Sequence, residues 1–262
     1  MEDTMKKFII SLCLAALALI PSYGQDLDGR QIAETAEKKN HSSIGLVSKG
    51  TILLEDIKSN KSETRSFALL GISQNGLRNS VFRFTDSRYK DTTFLTIETG
   101  GGDKLQYIFL KSVGSPRQVE SSDKEKNFVD TDMSYEDLGG SKTADYDYKR
   151  LDDRQVNGRD CYVIEKYPKR KTSKFQKHLI LIDKSTWVPV AAKYFSVDGR
   201  VVKTLSAEDI RTVGSGINVP YSITVTDLAD QHRTTVTLKS AVEKQLSAGY
   251  FNKGRMDKSW SE

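Results

Sequence analysis

The sequence has little with which to cross-link itself or to hold a metal. It contains two cysteines and three histidines in 262 residues. Cys13 lies in an apolar stretch near the start, which leaves Cys161 alone in the rest of the chain. One thiol makes no internal disulfide, so stability must come from a packed core. His41, His178 and His232 form no His-x-x-x-His pair, and none neighbours Cys161, so no zinc site or other metal centre is expected. No cofactor motif is legible either. The Gly-x-Ser-x-Gly motif of a hydrolase nucleophile is missing, and no catalytic residue can be named.

Long apolar runs are scarce too. The stretch Phe8 to Ile20 is uncharged, follows Lys6 and Lys7, and leads to Ser22 and Gly24. Thirteen residues of helix reach about 20 Å, short of a ~30 Å hydrocarbon core. A charged start, a short apolar core and a small-residue site predict a secretory signal peptide over 1–24, cut before Gln25. Lipidation at Cys13 is disfavoured by the bulky Leu12 before it. The remainder, 25–262, reads as one exported domain.

What is present is charge and alternation. Lys+Arg number 40 against 35 Asp+Glu, and apolar residues make up 37%. That balance suits a sheet with one wet face. "GRQIAETAEKKNH", Gly29 to His41, carries Ile32, Ala33 and Ala36 at helical spacing. After it the period becomes two, through five runs from "TILLEDI" to "LQYIFLKSV" with polar, Gly- or Asn-bearing turns. The pattern breaks between Ser115 and Lys149 and resumes in six more runs from "CYVIEKY" to "RTTVTLKSAV". Ten or eleven strands without strand–helix alternation exclude a parallel α/β sheet. The expected fold is mainly β: one curved antiparallel sheet, with helices on its concave face and a helical lid or insertion near 115–149.

Inside the break, "FVDTDMSYEDL" gathers Asp130, Asp132, Glu136 and Asp137. As a calcium loop it has Tyr135 where an EF-hand needs Gly and Ser141 where it needs Glu. The plainer expectation is a short helix capped by Asp132 or Ser134. Its first-turn acids would suit the dipole, and Phe128, Met133, Tyr135 and Leu138 would be its apolar contacts. The run "KYPKRKTSK" supplies Lys166, Lys169, Arg170, Lys171 and Lys174. It is either a solvated hairpin tip or a contact for an anionic membrane or acidic protein. Nucleic acid is not expected for an exported chain without a stacking motif.

Three segments in order, "FVDTDMSYEDL", "HLILIDKSTWVPVAAKYFSVDGRVVKTL" and "INVPYSITVTDLADQHRTTVTL", resemble the LolA-like outer-membrane lipoprotein-sorting proteins. The resemblance covers roughly residues 25–255. It implies an unclosed antiparallel half-barrel whose helices cover an apolar cavity for acyl chains, with the acidic stretch in the lid. It implies a periplasmic, non-catalytic carrier of lipid or lipoprotein acyl chains, associated with the outer membrane or with an RND-type lipid exporter. An inner-membrane transporter and an outer-membrane acceptor are the implied partners. The alternative is a phospholipase-like hydrolase using the same cavity, cation-assisted through the acidic stretch. Candidate lining residues sit on unbroken apolar faces: Phe82 and Phe84; Leu95 and Ile97; Val219, Tyr221, Ile223 and Val225.

Overall fold

The structure, a computed structural model, describes residues 26–86 and 88–258. The expected signal segment 1–24, with Cys13, lies outside them. Helix α1 (Gly29–Lys38) precedes a meander of five strands: β1 (Leu46–Asp56), β2 (Lys61–Gln74), β3 (Leu77–Phe84), β4 (Thr93–Glu98) and β5 (Lys104–Phe109). A short edge strand follows, β6 (Pro116–Gln118), then helix α2 (Tyr135–Gly139). Seven strands complete the chain: β7 (Tyr146–Val156), β8 (Arg159–Pro168), β9 (Phe175–Asp183), β10 (Pro189–Ser196), β11 (Val201–Val213), β12 (Ile217–Asp227) and β13 (His232–Glu243). All thirteen join one antiparallel sheet, ordered β6-β5-β4-β3-β2-β1-β13-β12-β11-β10-β9-β8-β7. Its edge strands β6 and β7 do not pair, so the barrel stays open.

The count exceeds the ten or eleven strands expected, and both extra strands lie where the alternation fails. In β7 the residues between Tyr148 and Val156 are almost all charged or polar. An edge strand with a wet outer face tolerates this, and the charges protect its unpaired rim. β6 is three residues long and fully exposed.

Asp28 caps α1 in a reciprocal box with Gln31, and the helix stops at Lys38, three residues short of the expected end. Ile32 is fully buried against Ile164 and Ile182. The helix starts so close to β7 that a Cβ on Gly29 would stand 2.9 Å from the Arg150 nitrogen. Its other end reaches the opposite arm of the sheet, because Glu37 pairs with Arg78 of β3 and Lys104 of β5. One ten-residue helix therefore touches both arms, which fixes the side towards which the sheet curves.

That bridge has a pH signature. Burial pushes the Glu37 carboxyl up, but Lys104 and Arg78 outweigh it and hold the pKa at about 2, from 4.5. A depressed carboxyl adds stability that is complete above its unfolded pKa and is lost as pH falls through the folded one. Lys104 stays protonated throughout that window. Denaturant midpoints should therefore decline from about pH 4.5 towards 2 in the wild type. In Glu37→Gln the same decline should be shallower. Parallel curves would show that the bridge does not couple the two arms.

The two faces of the sheet are filled differently. On the concave face Phe82, Phe84 and Phe94 meet Phe128 and Tyr135. On the outer face Leu70, Ile72, Val81, Leu95 and Phe109 are covered by Leu246, Phe251 and Met256 of the C-terminal segment. β3 and β4 are thus buried on both sides, which explains why burial runs without alternation over Val81–Phe84 and Thr93–Thr96. Among the described residues no helix is long and apolar enough to cross a membrane.

Candidate functional site

The concave face carries the lid. Ser134 caps α2, its Oγ accepting from the Asp137 amide at 3.0 Å, while Asp137 accepts from the Ser134 amide at 2.8 Å. Such a cap contributes about 1 kcal/mol. Asp132 does not cap the helix. It is buried, accepts from the Thr234 hydroxyl at 2.7 Å and lies 2.7 Å from His232 Nδ1. Asp130 takes Tyr89, Arg88 and Arg65 as partners. Three of the four expected contacts of the helix appear: Phe128 is in the aromatic cluster, with Tyr135 and Leu138 against it. At Gly139 a Cβ would stand 2.0 Å from Gln106 Nε2, so any side chain there would push the Gln106 amide off its place against α2.

Both arms grip this segment. Gln106 of β5 donates to the Tyr135 carbonyl at 3.0 Å, Tyr194 of β10 to Asp137 at 2.8 Å, and Lys203 of β11 to the Asp132 carbonyl at 2.6 Å. Two cations of the basic hairpin, Lys166 and Arg170, turn inward, while Lys169, Lys171 and Lys174 stay exposed. Lys166 donates to Ser141 Oγ at 2.6 Å and lies 3.7 Å from Glu136. Arg170 pairs with Glu125 and lies 3.6 Å from Glu136. Lys169 faces Asp147 at 3.4 Å, and Lys174 lies 5.2 Å from the Phe175 ring centre. Lys171 alone of the five has no side-chain partner among the described residues. Sequence reasoning saw five cations in a row and had no signal that strand β8 points Lys166 into the half-barrel.

Under the lid a polar cavity of about 160 Å³ is lined by Lys166, His178, Tyr194 and Asp137. Burial pushes the His178 pKa down and the Lys166 charge adds to this, so the ring is neutral. Its Nε2 has no hydrogen-bond partner. Burial also lowers Lys166, against the pull of Glu136 and Asp137. Among the described residues no group of three His, Cys, Asp or Glu is placed to hold a metal ion.

Between the lid cluster and the α1 cluster the concave face is apolar but only half-covered. Register places Ile223 beside Val236 on one side and Ala207 on the other, and Val236 beside Ile52. Ile52 in turn pairs with Arg65, whose guanidinium donates to the lid carbonyl of Val129 at 2.7 Å, so this row faces the lid. Leu69, Leu205, Ile223, Val236 and Leu238 are all partly exposed along it. Val219 and Tyr221 continue the row and are buried, each 8% exposed. Leu69, Val236 and Leu238 pack against the lid cluster and Leu205 against the cluster of Phe175 and Tyr194, so the row is a partly exposed apolar trough.

The eight expected lining residues fall into three groups. Val219, Tyr221 and Ile223 are in the trough, with Val225, 1% exposed, at its floor. Phe82 and Phe84 share the concave face but are filled core in the aromatic cluster. Leu95 and Ile97 face the other way, against the C-terminal segment. An alternating strand has two faces, and with both buried the pattern cannot say which is concave. Leu69, Leu205, Val236 and Leu238 were not expected. The spacing of Val236 and Leu238 between threonines in "TTVTLKS" was a usable signal for two of them.

A family model whose description reads "-like: Uncharacterized protein" matches residues 76–258. The chain belongs to this family. No curated protein matches the sequence. Three solved structures share its fold. An outer membrane lipoprotein-sorting protein domain from Vibrio parahaemolyticus is 21% identical, with TM-score 0.79 over 88% of this chain and 98% of that one. A DUF1329 family protein from Desulfovibrio piger is 22% identical, with TM-score 0.77 over 87% and 97%. A LolA superfamily protein from Nitrosomonas europaea is 19% identical, with TM-score 0.66 over 87% and 99%. The family's fold is the open LolA-like half-barrel, as the three sequence segments implied.

Proposed function

We propose that this protein is an exported, periplasmic carrier or binding protein for lipids or lipoprotein acyl chains. The observation that carries the reading is the partly exposed apolar row from Leu69 to Leu205 on the concave face of the half-barrel. Five apolar side chains left partly in water form a contiguous patch of the kind that marks a ligand groove. The lipoprotein-sorting domain that shares the fold lends the same reading support. The functional unit is the single domain 25–262, with the lid segment near 115–149 gating the trough and 1–24 removed on export. Service to an inner-membrane lipid exporter or an outer-membrane acceptor belongs to this proposal, and so does a location at the outer membrane. Within the basic run, Lys171 and Lys174 remain for contact with an anionic membrane.

The hydrolase alternative gains nothing from the site. The one buried histidine under the lid has no hydrogen bond to a serine, cysteine or carboxylate. Mass spectrometry of lipid co-purified from the native envelope tests the proposal. Intact diacyl lipid or a triacylated peptide is the expected cargo. Lyso-lipid together with free fatty acid would mean hydrolysis, and a lipid-free protein that takes up no acyl chain would end the carrier reading.

A further inference from the structure

The turns of an antiparallel meander alternate between its two ends, and here the ends differ. At one rim lie the turns 57–60, 85–92, 110–115, 169–174, 197–200 and 228–231. At the other lie 75–76, 99–103, 157–158, 184–188 and 214–216. The first six turns carry nine Lys or Arg against four Asp, whereas the other five carry Lys184 and Asp103 alone. The first rim also holds four of the six exposed large apolar side chains: Ile57 at 45%, Val113 at 37%, Val197 at 69% and Leu228 at 47%. Three of these tips are neighbours. The Ile57 amide donates to the Gln231 carbonyl at 2.9 Å and the Leu228 amide to the Val202 carbonyl at 2.8 Å, which joins the three turns into one arc. Eight of the nine cations are exposed, and Arg170 turns inward to Glu125. Asp91 and Asp198 are taken by Lys111 and Arg200. Among the described residues Lys58, Lys90 and Lys171 have no ion pair.

Apolar side chains on separate tips of a positive rim have the complement of an anionic lipid surface. We propose that this rim docks the half-barrel on an anionic bilayer. Ile57, Val197 and Leu228 enter the boundary between headgroups and acyl chains, and the exposed lysines meet lipid phosphates. Neighbouring hairpin tips stand two strands apart, about 10 Å, so their side chains form no continuous core for a protein interface. A fluid bilayer admits them one by one, and binding grows with buried apolar area and with the pull of anionic headgroups on the cations. The same rim carries one end of the lid. Arg88 of the turn 85–92 lies 3.4 Å from Asp130, and His232, beside the turn 228–231, lies 2.7 Å from Asp132. Docking therefore brings that end of the lid to the membrane. Helix α1 points away, since Asn40 just beyond it donates to the Thr186 carbonyl in the opposite turn 184–188. This rests on the membrane-contact part of the carrier reading and adds its orientation, and it holds whether or not the trough is loaded.

Co-sedimentation with vesicles of equal parts phosphatidylcholine and phosphatidylglycerol tests the docking. The wild type should bind them, should bind pure phosphatidylcholine vesicles far less, and should be weakened by added salt, which screens the rim. I57S/V197S/L228S should bind the anionic vesicles at least about tenfold less. K58E/K90E should bind at least about threefold less at low salt, with a shallower salt dependence. Val242→Ser removes another exposed apolar side chain, 56% exposed at the far end of β13, and should change nothing. All variants should keep wild-type circular dichroism, melting temperature and acyl-chain uptake, so docking and cargo binding fail separately. Wild-type binding by I57S/V197S/L228S would overturn the proposal. So would an equal loss in Val242→Ser, or equal binding of the neutral vesicles. A wild type that sediments with no anionic vesicle would leave the rim to an acidic protein and reject bilayer docking.

Discussion

Ile223→Trp should lower the affinity for a fluorescent acyl chain by more than about tenfold, or ~1.4 kcal/mol, while the fold persists. Ile223 is partly exposed in the middle of the trough and belongs to none of the buried clusters. Its neighbours across the strands are Val236 and Ala207, and neither closes over it. The added volume of an indole would therefore go into space that a chain would occupy. Stability should fall by less than the ~1–3 kcal/mol of an overpacked core. Val225→Trp, two residues along the same face at a 1% exposed position, is the control. It should incur that full cost. If Ile223→Trp unfolds as readily as Val225→Trp, the trough is closed core. If it binds the probe like the wild type, the cargo lies elsewhere. Either result removes the physical basis of the carrier reading.

The second large effect is expected at the lid. Phe128→Ala should destabilise the protein by about 3–5 kcal/mol in urea unfolding. The ring is 1% exposed and meets Phe82 edge-on at 5.5 Å, Phe84 in a stack at 5.9 Å, and Phe94 and Tyr135 at 5.5 and 5.7 Å. It is the apolar anchor of a segment otherwise held by polar bonds to both arms. Amide exchange at Tyr135–Gly139 should speed up ahead of the sheet, because α2 is short and depends on that anchor. Phe128→Leu should lose less, since it keeps most of the volume. A loss under about 1 kcal/mol in the alanine variant would mean that the polar network alone fixes the lid. The ligand consequence follows from the same contact: a loosened lid should raise the exchange rate of bound chains more than it changes their affinity.

The acidic stretch shows how far local chemistry could be read. Ser134 and Asp137 stand three apart before an apolar contact, and that spacing is sufficient for the reciprocal cap observed. Asp132, two residues earlier, looked equivalent. Its actual partners, Thr234 and His232, are a hundred residues away, and no local rule points to them. The basic run has the same limitation. Five cations in nine residues look like a solvated surface until the fold brings Glu125 and Glu136 to meet Arg170, and Ser141 to meet Lys166.

By itself the sequence determined the fold class. Period-two runs with turn residues between them, one helix at the start and no strand–helix alternation leave an antiparallel sheet, because alternation is the condition for burying one face of a strand. Resemblance added that the sheet is open and lidded. Tertiary structure alone decided which face of each strand is concave. β3 and β4 are apolar on both sides, and only the arrival of Phe128 on one side and Leu246, Phe251 and Met256 on the other tells the two apart. It also decided where space remains. Ile223 and Val225 are indistinguishable in an alternating strand, yet one is partly open and the other closed, because coverage depends on neighbours drawn from β11 and β13. A cavity is a property of what fails to meet across the fold, and residues far apart in the chain carry no local mark of it.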